Sequence, residues 1–287
     1  MAPIAITHFS DPGCPWAYSA SPALAVLRWR YGAQLDWRLV TIGLSEDPAR
    51  YIERGYTPTR MAIGNLSLRR FGMPFAFTPR ARVAATGRAC RAIVATRLVD
   101  PDREYDVHRA LQFGWFTTTL VLDDDADIAT ALAAVDGLDV ERVLAAIDDR
   151  ATEDAYQADR SETRSAAGGA TEMQGKARQT DGPVRFSAPS LVLEADGVRV
   201  EAGGFQTVEA YDVLIANLDP TLERQAPPED PADLLAYFSF GLTTQEVAAL
   251  LTVSNDLPDR EGAERALLGL VAEGRAERHP LGGDALW

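Results

Sequence analysis

The chain has little cysteine and no long hydrophobic run. Two cysteines among 287 residues are too few for a disulfide scaffold, so each must be judged as a separate thiol. A membrane-spanning helix needs about 18 or more consecutive apolar residues, and no window approaches that length. The N-terminus also lacks the basic start and apolar segment of a signal peptide. These absences predict a soluble, cytoplasmic protein.

Negative charge outnumbers positive charge, and lysine is nearly absent. The formal net charge is −14, and Lys176 is the only lysine. Nucleic-acid binding depends mostly on Lys and Arg that neutralise phosphates, so the composition disfavours nucleic acid as a partner. The three histidines have no partner carboxylate or cysteine at metal-ligand spacing, and no glycine-rich phosphate motif is present. We therefore expect no metal site and no tightly bound cofactor.

The most informative stretch runs from 8 to 22 and contains Cys14. A short apolar strand, 4–9, precedes it, and a helix with Pro15 in its first turn follows and ends at Gly32. Residues 35–42 then read as a second strand. A strand, a helix and a strand of these lengths predict a right-handed βαβ unit with parallel strands.

Helical periodicity dominates from 82 to 166, and Cys90 shares its apolar face with Val83 and Val94. The segment 112–119 interrupts this pattern and contains Trp115. It is either a pocket wall or a helix end that threonines cap over an aromatic core. Residues 190–194 and 198–202 predict a β-hairpin, and 205–217 predict an amphipathic helix. The order βαβ, helical block, ββα predicts an α/β fold.

A small C-terminal unit follows a proline-rich, charged segment. Residues 221–230 have the composition of a linker. Helices are predicted at 234–240, from the capping box Thr243–Glu246 onward, and at 261–273, before a final hairpin. This order resembles a winged-helix module, but 231–287 carries 9 acidic residues and 4 arginines, a net charge of −5. We therefore expect it to pack on the first domain or to form a dimer contact rather than to bind DNA.

Three features of the chain resemble the DsbA-like branch of the thioredoxin fold, which includes FrnE-like oxidoreductases, 2-hydroxychromene-2-carboxylate isomerases and kappa-class glutathione transferases. The segment Ser-Asp-Pro-Gly-Cys-Pro-Trp at 10–16 is similar to the family's redox motif, and Ala188-Pro189 is similar to its cis-proline. The helical block also lies between the two halves of the fold. The resemblance implies a thioredoxin-like domain at 1–220 with a helical insertion at about 45–180. This domain precedes the linker at 221–230 and the winged-helix-like module at 231–287 that the composition and the order of the elements predict.

One position departs from the family pattern. A dithiol oxidoreductase has its resolving cysteine where this chain has Ala17, so the motif Cys-Pro-Trp-Ala cannot form a disulfide. The isomerases and transferases, in turn, typically have serine at the position of Cys14. A monothiol can attack a disulfide, but an outside thiol must then release the mixed disulfide. This implies a small thiol such as glutathione or mycothiol as cosubstrate. Cys90, on an apolar helix face, is interpreted as a buried structural cysteine.

The candidate catalytic residue is Cys14. It begins a helix, where unpaired N–H groups and the helix dipole favour the thiolate, so its pKa is expected to fall. Asp11 is either a loop cap or a proton shuttle, and Trp16 is either a substrate-facing plate or a domain contact. A cis Pro189, which the resemblance implies, would set the Ala188 backbone against the sulfur. The predicted substrate-binding residues are Asp11, Pro12, Trp16, Trp115, Ala188, Pro189 and Ser190.

Three functions remain open at this point. The leading hypothesis is a monothiol oxidoreductase that exchanges disulfides with a small thiol or a protein. The second is a thiol-dependent transferase or isomerase, in which Cys14 positions a cosubstrate thiol and Trp115 and Phe116 shape an apolar pocket. The third is a non-catalytic binding module, in which the proline groove holds a peptide or thiol and the C-terminal unit reports binding or forms a homodimer.

Overall fold

A mixed four-stranded sheet organises the computed structural model, which describes residues 3–253 and 256–287. The strand order is β2-β1-β3-β4. The strands are β1 (Ile4–Ser10), β2 (Leu35–Thr41), β3 (Ser190–Ala195) and β4 (Val198–Gly203). β1 pairs with β2 in parallel, whereas β3 is antiparallel to both β1 and β4. The predicted parallel pair and the predicted hairpin are confirmed.

The connection between β1 and β2 contains two α-helices and a 3-10 turn at Gly32–Gln34 rather than the single helix predicted. The α-helices are α1 (Pro15–Ser19) and α2 (Ser21–Tyr31). The division has a local cause, because Pro22 has no N–H to donate to the carbonyl four residues earlier. α2 is followed directly by Gly32, whose φ of 52° lies in the left-handed region that favours glycine.

The helical block connects β2 to β3. Its helices are α3 (Ala49–Glu53), α4 (Pro58–Leu66), α5 (Gly87–Val99), α6 (Glu104–Thr117), α7 (Asp125–Leu132), α8 (Val140–Ala146), α9 (Arg150–Thr163) and α10 (Ala170–Met173). α6 runs through 112–117 without a break, and the hydroxyls of Thr117 and Thr118 donate to the carbonyls of Phe113 and Gly114. The segment is therefore a threonine-capped helix end over an aromatic core, and the predicted interruption is wrong.

Separate apolar cores stabilise the sheet and the helical block. Ile4 and Ile6 of β1 pack with Leu24 and Leu27 of α2 and with Tyr211 of α11 (Val208–Leu218). The helical block has its own larger core, centred on α5 and α6. Cys90 is fully buried on α5 beside Val94 and Tyr156. This placement confirms that Cys90 lies in a packed interior.

The C-terminal unit contains the predicted elements. They are α12 (Ala232–Tyr237), α13 (Thr244–Leu251), α14 (Arg260–Ala272), β5 (His279–Leu281) and β6 (Asp284–Leu286). The capping box between Thr243 and Glu246 is present at the start of α13. Whether these elements constitute a winged helix stays a prediction.

The C-terminal unit packs closely against the first part of the chain. Ala25, Val26 and Trp29 of α2 share an apolar core with residues of α12, α13 and α14. The segment 221–230 is also attached, because the indole N–H of Trp29 donates to the carbonyl of Ala226 over 2.9 Å. The domain boundaries at 220 and 231 stay predictions. In the ranges 3–253 and 256–287, no helix is long and apolar enough to cross a membrane.

Candidate active site around Cys14

Cys14 lies where two segments far apart in sequence meet. β1 leads into the loop 11–14, and Cys14 directly precedes α1. Its Sγ donates to the carbonyl oxygen of Ala188 over 3.2 Å. The Ala188–Pro189 bond is cis, and β3 begins at Ser190. The backbone before Pro189 thus faces the sulfur, and only 7% of Cys14 is exposed.

The environment of Cys14 favours the thiol over the thiolate. Burial raises the pKa of Cys14 to about 11, and the negative charge of Asp11 adds to this rise. The N–H groups of Ala17 and Trp16 and the charge of Arg185 act in the opposite direction but are outweighed. The predicted fall in pKa is therefore wrong. α1 has only five residues, so its N–H groups oppose the rise only in part, and the loss of water around a charged sulfur outweighs them.

Asp11 braces the loop that carries Cys14. It is completely buried, and its Oδ1 accepts the N–H of Gly13 over 2.9 Å. Its Oδ2 accepts the N–H of Leu44 over 2.8 Å and the hydroxyl of Thr86 over 3.1 Å, and the Cys90 sulfur lies 3.5 Å from it. Burial raises the pKa of the Asp11 carboxyl, and these hydrogen bonds oppose that rise. The geometry favours the loop-cap interpretation of Asp11.

The loop 11–14 also packs closely against the helical block. A Cβ at Gly13 would lie 2.5 Å from the Thr86 methyl carbon and 3.1 Å from the Trp115 ring. Trp115 is only 3% exposed, so it forms the floor beneath the loop. Phe116 is also buried and stacks on Tyr18. A direct role of Trp115 in substrate binding stays a prediction.

Three aromatic rings, which we name the aromatic rim, lie beside the loop. Trp16 is 41% exposed, and its ring centroid lies 5.7 Å from that of Phe71 and 5.9 Å from that of Phe205. Phe71 and Phe205 are 4.6 Å apart. Phe205 was not among the predicted site residues, and its only sequence signal is its position directly after Gly203 and Gly204. The rim supplies an apolar, partly exposed surface next to Cys14.

The remaining predicted residues shape the backbone around the sulfur. Pro12 and Pro189 are buried. The hydroxyl of Ser190 donates to the Ser187 carbonyl over 2.7 Å and accepts the Gly204 N–H over 3.1 Å. With both contacts made inside the protein, Ser190 holds the turn before β3.

Arg185 is a site residue that the sequence interpretation missed. It is 6% exposed, and its guanidinium donates to the carbonyl of Phe186. Its charge acts on both Cys14 and Asp11, so it is the nearby cation that favours the thiolate. An arginine three residues before Ala188 was the only signal in the sequence. In the part of the chain that the structure describes, no group of three or more His, Cys, Asp or Glu could hold a metal ion.

Comparison with known proteins is consistent with this geometry. The family model for the DSBA-like thioredoxin domain matches residues 5–167, more than half of the chain. No curated protein sequence matches the chain.

Solved structures with a similar fold have low sequence identity. A candidate protein disulfide isomerase from Nitrosomonas europaea is 18% identical, with a TM-score of 0.57 over 75% of this chain and 97% of its own. The cytosolic disulfide reductase DsbM from Pseudomonas aeruginosa is 18% identical, with a TM-score of 0.53 over 76% and 98%, and it has also been solved with GSH. A probable DsbA oxidoreductase from Streptomyces coelicolor is 17% identical, with a TM-score of 0.54 over 79% and 93%.

Proposed function

The chain belongs to the DsbA-like thioredoxin family, and we propose that within this family it acts as a thiol–disulfide oxidoreductase through Cys14 alone. The observation that carries the proposal is the contact between the Cys14 sulfur and the Ala188 carbonyl. Ala17 stands where a resolving thiol would be, and Cys90 is buried beside the Asp11 carboxylate. An internal disulfide within the motif is therefore impossible.

The chemistry proceeds in two exchanges. Cys14 loses its proton to solvent base, and its thiolate attacks a substrate disulfide, so that one S–S bond forms to Cys14 while the substrate bond breaks and releases a thiolate. The thiolate of an external small thiol then attacks the mixed disulfide and displaces Cys14. One disulfide is exchanged for another, and Cys14 is regenerated.

Backbone geometry and the comparisons support a glutathione-like or mycothiol-like thiol as the partner. The extended segment at Ala188 is the place where such a molecule, or a protein disulfide, can bind alongside the sulfur. The DsbM structure with GSH supports the same chemical class. A cytoplasmic location also forms part of the proposal, since small thiols are abundant in that compartment. For 231–287 we propose a winged-helix-like unit that packs in place or pairs with a second copy.

The protonation of Cys14 favours a second candidate function. A thiol with a pKa of about 11 can donate its S–H to the sulfur of a bound thiolate cosubstrate. This arrangement suits a thiol-dependent transferase or isomerase of the kappa-class type, in which Cys14 binds the cosubstrate without forming a covalent bond. If no turnover accompanies such binding, the site is that of a binding module.

Intact mass spectrometry separates these functions. The protein is incubated with oxidised glutathione at pH 7 and pH 9.5, alongside Cys14→Ser and Cys90→Ser. Monothiol exchange predicts a single glutathione adduct on the wild type and on Cys90→Ser, more abundant at the higher pH, and no adduct on Cys14→Ser. An adduct-free protein at both pH values would reject exchange through Cys14. Tight binding of reduced glutathione without an adduct would instead support the second candidate.

A further inference from the structure

A crevice away from Cys14 lies beside α2 and β2, where these elements meet the helical block on one side and the C-terminal unit on the other. Two adjoining cavities, of about 150 Å³ and about 330 Å³, share Arg28 and Trp37 in their walls. His8 and Tyr105 line the smaller one. The larger one is lined by the aromatic residues Tyr237, Phe238 and Phe240. Neither cavity is lined by Cys14 or by the aromatic rim.

Arg28 presents an unneutralised guanidinium to this crevice. It lies between two rings, 4.3 Å from the centroid of Trp37 and 4.1 Å from that of Tyr105. Within the described ranges, its guanidinium has no ion pair, and its buried Nε has no hydrogen-bond acceptor. Cation–π contacts with the two rings hold the guanidinium in place. A planar set of N–H donors held in this way matches the two oxygens of a carboxylate.

Two further polar groups beside Arg28 lack partners. His8 is 3% exposed, and neither of its ring nitrogens has a hydrogen-bond partner among the described residues. The buried indole N–H of Trp37 is likewise without an acceptor there. Burial lowers the pKa of His8 to about 3, so the ring is neutral and offers one donor and one acceptor. Buried polar groups in native proteins are normally satisfied, so a ligand with polar atoms would complement these groups.

The other charges around the crevice are neutralised or lie in solvent. Glu104 pairs with Arg97, and Arg38 pairs with Glu162. Asp102 is exposed at the edge of the smaller cavity. Among the described residues, Arg28 is therefore the cation in the crevice walls that has no ion-pair partner, and an anion is the ligand that complements it. The neighbouring aromatic wall complements an apolar body rather than an inorganic ion.

We propose that this crevice binds a small organic carboxylate. The carboxylate lies against the Arg28 guanidinium and accepts from the Trp37 indole, while His8 hydrogen-bonds a second polar atom. The apolar part of the ligand packs on Tyr237 and Phe240. The location fits the general preference of small-molecule sites for crevices between structural units.

Titration of the full-length protein with benzoate tests the charge requirement. Isothermal titration calorimetry or ligand-observed NMR is used, with benzamide as the uncharged analogue of the same shape and inorganic phosphate as the anion without an apolar body. The proposal expects benzoate to bind at least tenfold more tightly than either control. Equal binding of benzoate and benzamide would refute it, as would phosphate binding as tightly as benzoate. Hexanoate is titrated as a second carboxylate with an aliphatic body. If neither benzoate nor hexanoate binds, the crevice is filled only by water and the proposal is overturned.

Matched variants test the position of the site. Arg28→Gln should weaken benzoate binding at least tenfold, whereas Arg30→Gln, on the same helix but paired with Asp212, should leave it unchanged. Trp37→Phe retains a ring but removes the indole N–H and should weaken binding about threefold; it also supplies the test if Arg28→Gln does not fold. Asp102→Asn should bind benzoate at least as tightly as the wild type. Unchanged affinity in both Arg28→Gln and Trp37→Phe would place benzoate elsewhere and overturn the proposal.

Discussion

The Cys14 loop and the Arg28 crevice differ in how their buried polar groups are satisfied. In the loop, the Asp11 carboxylate receives the N–H groups of Gly13 and Leu44 and the hydroxyl of Thr86. In the crevice, Arg28 and its polar neighbours have no such partners among the described residues. Hydrogen bonds within the chain therefore hold the loop, whereas the polar groups of the crevice need a bound molecule as their partner. The difference concerns these two places: hydrogen bonds within the chain satisfy the carboxylate of the loop, and the proposed ligand would supply the partners in the crevice.

A second arginine, Arg109, is also stacked on aromatic rings but differs from Arg28 in having a carboxylate partner. Arg109 lies 4.6 Å from the Phe113 centroid and 5.1 Å from that of Phe240, much as Arg28 lies against its rings. Arg109, however, pairs with Glu246 over 2.7 Å, and both side chains are at most 2% exposed. The protein provides a carboxylate where it buries a guanidinium between its units. At Arg28 that carboxylate is absent from the described part of the chain.

The largest expected effect concerns the protonation of Cys14. Because burial raises its pKa to about 11, the thiolate fraction should rise about tenfold per pH unit from pH 7 to pH 10. The rate of alkylation by iodoacetamide should therefore increase about a thousandfold over this range. Cys90→Ser confines the measurement to Cys14. A rate that levels off by pH 8 would show a lowered pKa, and one that levels off by about pH 9.5 would show an ordinary pKa.

Removing the carboxylate that pairs with Arg109 should cause the next largest effect. Glu246→Ala leaves a charged guanidinium buried without a partner, which we expect to lower the free energy of unfolding by about 3–5 kcal/mol. Urea denaturation followed by circular dichroism measures the change. The double variant Arg109→Met with Glu246→Ala should recover a large part of the loss. An effect under about 1 kcal/mol for Glu246→Ala would contradict the distinction between the two arginines.

Substitution of Asp11 tests the hydrogen bonds that hold the Cys14 loop. Asp11→Ala leaves the N–H groups of Gly13 and Leu44 buried without an acceptor, so the free energy of unfolding should fall by about 2–3 kcal/mol. Asp11→Asn retains one acceptor oxygen and should cost less. Both substitutions remove a negative charge that raises the Cys14 pKa, so the alkylation profile should shift to lower pH. A shift to higher pH would contradict this arrangement of charges.

The smallest effect is expected at Arg28. In the absence of ligand, Arg28→Met loses only its stacking on Trp37 and Tyr105, so the free energy of unfolding should change by less than about 1 kcal/mol. Thermal and urea unfolding of the unliganded protein measure the change, with Glu246→Ala as the reference for a structural ion pair. A loss as large as that of Glu246→Ala would show that Arg28 has a structural partner in solution.

Local patterns in the sequence predicted most of the fold. The alternation and composition of 4–9, 35–42 and 190–202 identified the sheet strands, and the spacing of Thr243 and Glu246 identified the start of α13. The division of the first helix was missed, although Pro22 supplies its cause. The threonines at the end of α6 supported the correct alternative for that segment. Such features depend on hydrogen bonds and periodicity within a few residues.

The order of the α/β elements, the single cysteine at the start of α1 and the lack of a second thiol at Ala17 could all be read from residues close together in the chain. The protonation of Cys14, the floor formed by Trp115 and the guanidinium of Arg28 without a partner among the described residues became visible only in the folded chain. The reason is physical. Periodicity and capping arise between near neighbours, whereas desolvation and the pairing of charges depend on atoms brought together from distant parts of the chain. For Cys14 these atoms include the Ala188 carbonyl, 174 residues further along the chain.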